Sequence, residues 1–225
     1  MQLAKPCLDV GLSTNQVKRH LAFWREEAGL VFDHRLPIAP GHVQHRFLAN
    51  GSVVKVNSFA GPLVPVSSCG IREVLIARQG LAAPRYLTDP DGALTTLVPK
   101  GFAGIGQIGI RIAVRDMFAQ RRFYAEALGL PEEAPGKFRA GETLIMLEPE
   151  DTAPPGPEIP GAGWRYMTFQ VHKADEAHAR VLALGASEAK APVTLGKVAR
   201  YSIVRDPEGN AIELSQRAST VGSLE

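Results

Sequence analysis

The residues able to do chemistry in this chain are polar side chains that strand alternation turns to one face of a sheet. In the segment DPEGNAIEL (residues 206–214), Ile212 and Leu214 read as core, which turns Ala211, Glu213 and Ser215 the other way. The same alternation separates Met167, Phe169 and Val171 from Trp164, Tyr166, Thr168 and Gln170. It also separates Ile108, Ile110, Ile112 and Val114 from Gln107, Gly109, Arg111 and Ala113. In the first hundred residues it turns inward Cys7, Asp9 and Gly11, then Val53, Lys55 and Asn57, with Glu73 and Thr96 further on. Glu213 admits three roles. It is a ligand to a hard cation, aided by Tyr166 and water; or a general base or polar anchor with Tyr166 as a nearby donor; or a structural tie to the next strand. An inward Arg111 can clamp a carboxylate or phosphate through two hydrogen bonds, or pair with Glu213.

Asp9, Glu73 and Lys55 allow a self-satisfied ionic cluster, an oxygen-ligand site, or a group that orients a polar substrate. His42 and His45 lie three apart in a strand, so they point to opposite faces, and His45, nearer the strand centre, is expected to project inward. His20, His34, His172 and His178 sit on helices, turns or strand ends and are expected to face solvent.

The elements that position these residues come from an internal repeat. Shifting the sequence by one hundred places lays LDVGLSTNQVKRHLAFWREEAGL (8–30) on IGIRIAVRDMFAQRRFYAEALGL (108–130). Each is an alternating strand, a polar turn and an amphipathic helix with an aromatic pair, closed by Gly-Leu. Asp116 is placed to cap the second helix. GIREVLIA (70–77) aligns with GWRYMTFQ (163–170), and DPDGALTTL (89–97) with DPEGNAIEL, both carrying an Asp-Pro-x-Gly turn. Unit one then has strands near 31–38, 43–48 and 53–57. Unit two lacks a helix, because only 79–84 separate its strands. Unit three has a strand at 108–114, a helix at 117–128 and a last strand at 143–147. After a Pro/Gly-rich linker at 151–162, unit four has a strand at 166–171, a helix at 174–184 and strands near 198–204 and 211–215. The glycine-rich 101–109 leads into a strand, so it cannot present helix N-terminal amides to a phosphate and reads as an interdomain linker.

Composition limits the partners. The chain has 225 residues, 45% apolar and 21% charged, with net charge +2, which suits a globular protein with a real core. The basic residues are scattered, so neither nucleic acid nor an anionic membrane is an expected partner. No apolar run is long enough to span a bilayer, and residues 1–5 lack a signal-peptide pattern. Cys7 and Cys69 have no zinc-knuckle spacing and read as reduced thiols, so the expected location is cytoplasmic. Nucleophile-elbow, P-loop and dinucleotide motifs are missing.

Paired strand-helix-strand-strand-strand units with a closing DPxGNxIEL resemble the vicinal oxygen chelate (VOC) superfamily, which includes glyoxalases, bleomycin resistance proteins and extradiol dioxygenases. The resemblance covers nearly the whole chain. It implies an α+β fold of tandem glyoxalase-like βαβββ modules, whose curled mixed sheets surround an inner cup with helices outside. The second module of the N-terminal half lacks its helix. Residues 1–100 would form a partly degenerate N-terminal domain and 101–225 the C-terminal one.

In that family a divalent metal is held by residues on the first and last strands of the units, and the substrate chelates it through two neighbouring oxygens. Carried onto this sequence, those positions are Asp9, Lys55, Glu73 and Thr96 in the first half and Gly109, Met146, Tyr166 and Glu213 in the second. Glu213 alone matches the family's ligands as written; Asp9, Glu73 and His45 are further metal candidates. A facial iron site needs two histidines and a carboxylate, and the first-strand histidines are missing. The cofactor expectation is therefore one divalent metal ion or none. The implied function is an enzyme (lyase, isomerase or dioxygenase) acting on a small oxygenated or aromatic metabolite in the C-terminal cup, with Glu213, Tyr166 and Arg111 as catalytic residues and Met146 beside them. The alternative is a metal-free protein that binds or sequesters a small molecule, as bleomycin resistance proteins do. Two halves in one chain let a monomer complete a cup; a homodimer stays open.

Overall fold

The computed structural model describes residues 1–63, 70–151 and 161–224. Cys69 and most of the expected 151–162 linker lie outside the described residues.

The chain opens with β1 (Asp9–Thr14) and helix α1 (Val17–Ala22), followed by β2 (Val31–Ala39), β3 (His42–Ala49) and β4 (Ser52–Phe59). Next come β5 (Ile71–Arg78), β6 (Arg85–Thr88) and β7 (Leu94–Pro99), with no helix among them. The third unit has β8 (Ile108–Val114), α2 (Met117–Arg122), β9 (Glu132–Ala134), β10 (Lys137–Ala140) and β11 (Thr143–Pro149). The fourth has β12 (Gly163–Gln170), α3 (Ala174–Ala183), β13 (Ser187–Leu195), β14 (Ala199–Arg205), β15 (Ala211–Arg217) and a short α4 (Ala218–Val221). β13 is not foreseen in the sequence: its SEAKAPVTL stretch is mostly solvent-exposed and shows no apolar alternation.

The hundred-residue repeat extends to backbone detail. α1 and α2 each run into a widened turn, where Ala28 N–H donates to Phe23 O (2.9 Å) and Leu128 N–H to Phe123 O (3.1 Å). This five-residue spacing swings the aromatic pairs Phe23–Trp24 and Phe123–Tyr124 into the core. Asp116 caps α2 through Ala119 N–H at 2.9 Å. The two Asp-Pro-x-Gly turns are also built alike. Asp89 Oδ1 accepts from the backbone of Asp91 (2.9 Å) and Ala93 (2.8 Å), and Asp206 Oδ1 from Glu208 (3.0 Å) and Asn210 (2.9 Å).

Each turn carries its own partner from the helix of the preceding unit. His20 of α1 lies 2.8 Å from Asp91 and 3.9 Å from Asp89. Gln120 of α2 reaches Asp206 Oδ2 at 3.2 Å with its amide nitrogen turned that way. His20 is therefore fully buried and not solvent-facing, and His178 is likewise buried, 2.8 Å from Glu188. His172 is exposed, as expected.

Two sheets result. The eight-stranded sheet has the order β13-β14-β15-β12-β1-β4-β3-β2, and the seven-stranded one β6-β7-β5-β8-β11-β10-β9. Each draws on both halves of the chain: β1 pairs antiparallel with β12, and β5 antiparallel with β8. Unit one thus completes its sheet with unit four, and unit two with unit three. One continuous core joins Val10, Val54, Met167 and Phe169 of the first sheet to Val74, Ile110 and Ile112 of the second. The apolar face of each sheet meets that core, and the opposite face is left for the two concavities.

The second concavity is filled. Leu75, Ala77, Val98, Ile105, Leu144 and Met146 form a separate buried cluster. Ile105, from the glycine-rich connection after β7, is fully buried and lies so close to Gly109 that a Cβ there would meet it at 2.7 Å. The connection thus plugs this side of the seven-stranded sheet.

Candidate functional site

The concave face of the eight-stranded sheet holds a cavity of about 520 Å³. Its two edge strands, β2 (Leu36, Ile38) and β13 (Lys190, Leu195), both line this cavity, so the sheet curls nearly round on itself. Alternation sets the floor: Glu213, Ser215 and Arg217 come from β15, Lys55 and Asn57 from β4, His42, Gln44 and Arg46 from β3, Tyr166 from β12 and Ser13 from β1.

Register brings the charged groups together. Asp9 lies opposite Thr168, and Thr168 opposite Glu213, across three adjacent strands. Gly11 lies opposite Tyr166 on one side and Lys55 on the other, and Lys55 opposite Arg46. Gly11 leaves the space for the phenol ring: a Cβ there would stand 2.1 Å from the Tyr166 ring. Lys55 crosses toward β15, donating to Thr168 Oγ1 at 2.7 Å and to Glu213 Oε1 at 2.8 Å, with its Nζ 5.5 Å from the Tyr166 ring centroid. Asp9 accepts from Lys5 Nζ (2.6 Å), Val53 N–H (2.9 Å) and Gln170 Nε2 (3.1 Å).

These contacts set the protonation states. Burial pushes the Asp9 carboxyl up, but Lys55, Lys5 and Arg46 outweigh it and hold the group below its ordinary value of 3.8. Burial pushes the Lys55 ammonium below its ordinary 10.5, with Glu213 and Asp9 pulling the other way. Tyr166 is raised by burial and then by Glu213, so its phenol stays protonated. Its oxygen accepts from Asn57 Nδ2 at 3.0 Å and Gln44 Nε2 at 3.5 Å. Asn57 Oδ1 in turn faces His42 Nε2 at 3.1 Å.

The expected site residues divide between the two sheets. Tyr166 and Glu213 stand together, joined by Lys55 and the buried Asp9. Arg111 and Met146 are on the seven-stranded sheet, so they do not share a cup with Glu213. Arg111 pairs with Glu73 (3.0 Å) and Glu148 (3.3 Å) instead of Glu213. Glu73 also accepts from Thr96 Oγ1, and Met146 packs in the plug. Asp9, Glu73 and Lys55 therefore form no common cluster. His42 lines the cavity, whereas His45 is on the other face of β3, 3.4 Å from Ser58 Oγ. Arg46, Gln44 and Arg217 were missed. Taking Val43 and Phe47 as the core face of β3 would have turned His42, Gln44 and Arg46 inward.

Residues 104–214 match the model of the Glyoxalase/Bleomycin resistance protein/Dioxygenase superfamily. Through this segment, just under half of its length, the chain is similar to that superfamily. Over nearly its full length the chain also shares a fold with solved members. A mutant of glyoxalase I from Zea mays is 13% identical, covers 96% of this chain and 95% of its own, and superposes with a TM-score of 0.71. Glyoxalase I from Zea mays gives 14% identity, 97% and 95% coverage and a TM-score of 0.69. A candidate dioxygenase from Bacillus subtilis subsp. subtilis str. 168 gives 13% identity, 93% and 84% coverage and a TM-score of 0.65. No curated protein matches the sequence.

The pairing of units brings into this cup four of the positions at which the resemblance implied metal ligands: Asp9, Lys55, Tyr166 and Glu213. Two are carboxylates, one is a phenol that stays protonated and one is an ammonium. Among the described residues no three His, Cys, Asp or Glu side chains are grouped to hold a metal ion. The donor set does not fit a divalent ion, because Lys55 already occupies Glu213 and faces Asp9.

Proposed function

We propose that the eight-stranded cup binds a small oxygenated or aromatic metabolite without a divalent metal, with the Lys55 ammonium as its built-in cation. The observation that carries this reading is the Lys55 contact to Glu213 Oε1 at 2.8 Å and to Thr168 Oγ1 at 2.7 Å, where the resemblance implied metal ligands. A divalent ion entering here would have to displace a buried ammonium or sit beside it, and either arrangement costs electrostatic energy. A fixed ammonium can hold and polarise a ligand oxygen as one charge, without the ligand exchange of a metal.

A catalytic variant of this reading has support from the same residues. Glu213 is 14% exposed toward the cavity, and Tyr166 is a protonated donor beside it. A ligand bound across them would meet a carboxylate able to take a proton and a phenol able to donate a hydrogen bond, which suits isomerase- or lyase-type proton transfer. Under either variant Glu213 and Tyr166 keep the roles proposed for them, and Arg111 loses its role.

The test is thermal unfolding of the full chain, purified without chelators, with magnesium, manganese, zinc, nickel or ferrous ion added. The expected result is no rise in Tm with any ion. A rise that Glu213→Ala removes would overturn the metal-free reading, because a specifically bound ion stabilises by mass action.

A further inference from the structure

We propose that the cup recognises a carboxylate carried on an apolar, ring-sized body, with Arg46 and Arg217 as the receptor for the carboxylate. This rests on the metal-free binding reading and adds to it the charge and shape of the ligand.

The starting point is a buried guanidinium whose hydrogen bonds the fold does not complete. Arg46 is 4% exposed. It donates to Gln44 Oε1 at 2.8 Å, yet its Nε is buried with no hydrogen-bond partner. Among the described residues Arg46 makes no ion pair with a carboxylate. Three carboxylates near this side of the sheet have other partners: Glu213 is engaged by Lys55, Asp9 by Lys5, Val53 and Gln170, and Asp33 by His34 at 2.9 Å. A planar guanidinium with an unpartnered Nε keeps a donor for an entering carboxylate oxygen.

Arg217 strengthens the case from the opposite flank of the same cavity. Its Nε donates to Ser219 Oγ at 3.2 Å, and among the described residues it too lacks a carboxylate partner. Burial and then the Arg46 charge push the Arg217 guanidinium below its ordinary value, with Asp9, Glu213 and Asp33 pulling the other way. Among the described residues, the lining of the cavity carries Arg46, Lys55, Lys190, Arg205 and Arg217 against one carboxylate, Glu213. Concave walls focus such a field on an incoming anion.

The rest of the lining describes the body of that ligand. Leu36, Ile38, Phe59, Leu195 and Val198 make apolar walls. A cavity of about 520 Å³ suits a small organic molecule. Planar guanidinium groups match a carboxylate through paired hydrogen bonds. A bare inorganic anion would leave the apolar walls uncovered, so the combination favours an organic acid.

The test measures binding of 2-naphthoate, its neutral counterpart 2-naphthamide, and inorganic phosphate. Titration calorimetry and thermal unfolding are run at matched ionic strength on the full chain without divalent ions. The wild type should bind naphthoate at least about tenfold more tightly than naphthamide or phosphate, and Arg46→Met and Arg217→Met should each weaken naphthoate about tenfold or more. Ligand-free Arg46→Met should unfold at the wild-type temperature or above, because it removes a buried cation whose Nε has no hydrogen-bond partner; a merely structural arginine would give the opposite shift. Should Arg46→Met fail to fold, Arg217→Met carries the binding comparison alone.

Equal affinity for naphthoate and naphthamide, or naphthoate binding untouched by either substitution, would overturn the anion assignment and leave the binding cup standing. No binding of either aromatic compound would overturn the proposal. Phosphate binding as tightly as naphthoate would overturn the organic-acid assignment. Binding that appears only after a divalent ion is added would bring down the metal-free reading, and this proposal with it.

Discussion

Lys55 and Glu213, 158 residues apart in sequence, meet at 2.8 Å beside Thr168 on the concave face of the eight-stranded sheet. They come from β4 and β15, the last strands of units one and four, and the antiparallel pairing of β1 with β12 brings those units together. The cup is therefore completed by the two ends of one chain, and its central ion pair joins them.

Gly11 should tolerate no side chain while Tyr166 stands opposite. A Cβ at position 11 would lie 2.1 Å from that ring, so Gly11→Ala should cost about 1–3 kcal/mol by overpacking. Adding Tyr166→Leu should recover part of the loss. Denaturant unfolding of the single and double variants checks this; strictly additive losses would contradict the contact.

Asp9 should give the cup an acid-sensitive share of its stability. Its carboxyl is held below the ordinary 3.8 in the folded protein, so the unfolded chain binds its proton first as pH falls. The contribution is complete above about pH 4 and is lost as pH drops through the lower, folded-state value. The stability difference between wild type and Asp9→Asn should therefore be constant from neutral pH to about pH 5 and shrink below about pH 4, measured by urea unfolding across that range.

His20 and Gln120 occupy equivalent places above equivalent turns, so glutamine should substitute for the histidine. His20→Gln is expected to cost under about 1 kcal/mol, while His20→Leu, which removes the contact to Asp91 Oδ2, should cost about 1–3 kcal/mol. Equal losses in the two variants would argue against the equivalence.

Ile105 plugs the concavity of the seven-stranded sheet, apart from the cup. Ile105→Ala should cost about 2–4 kcal/mol through the cavity it leaves, with no change in the affinity of the eight-stranded cup for 2-naphthoate. A weakened affinity would mean that the two sheets are coupled.

Much of this was readable in the sequence because it is local. Alternation gave the strands, the Asp-Pro-x-Gly turns closed two of the units, and the hundred-place repeat fixed α1 and α2 down to their aromatic pairs. Glu213, Tyr166, Lys55 and Asp9 were each turned to the correct face by the same rule. Which unit joins which is a long-range matter that alternation cannot see. Arg111 reads as inward in the sequence, and it points to the concave side of the other sheet, where Glu73 meets it at 3.0 Å. His20 reads as a surface residue because its helix is short and polar, and only the turn at Asp89 and Asp91, some seventy residues on, encloses it. Arg46 escaped notice because the adjacent His45 blurs the alternation of β3. Its importance rests on the burial of an unmatched Nε, which no local pattern encodes.

The most direct test of the ion pair at the centre of this account is a double-mutant cycle on Lys55→Met and Glu213→Gln, followed by denaturant unfolding at neutral pH. Each single substitution leaves one partner without its counter-charge and should cost about 3–5 kcal/mol, whereas the double variant should be less destabilised than the sum, with a coupling above about 1.5 kcal/mol. Additive losses, or a Lys55→Met variant as stable as the wild type, would show that the ammonium does not serve as the cation of this cup.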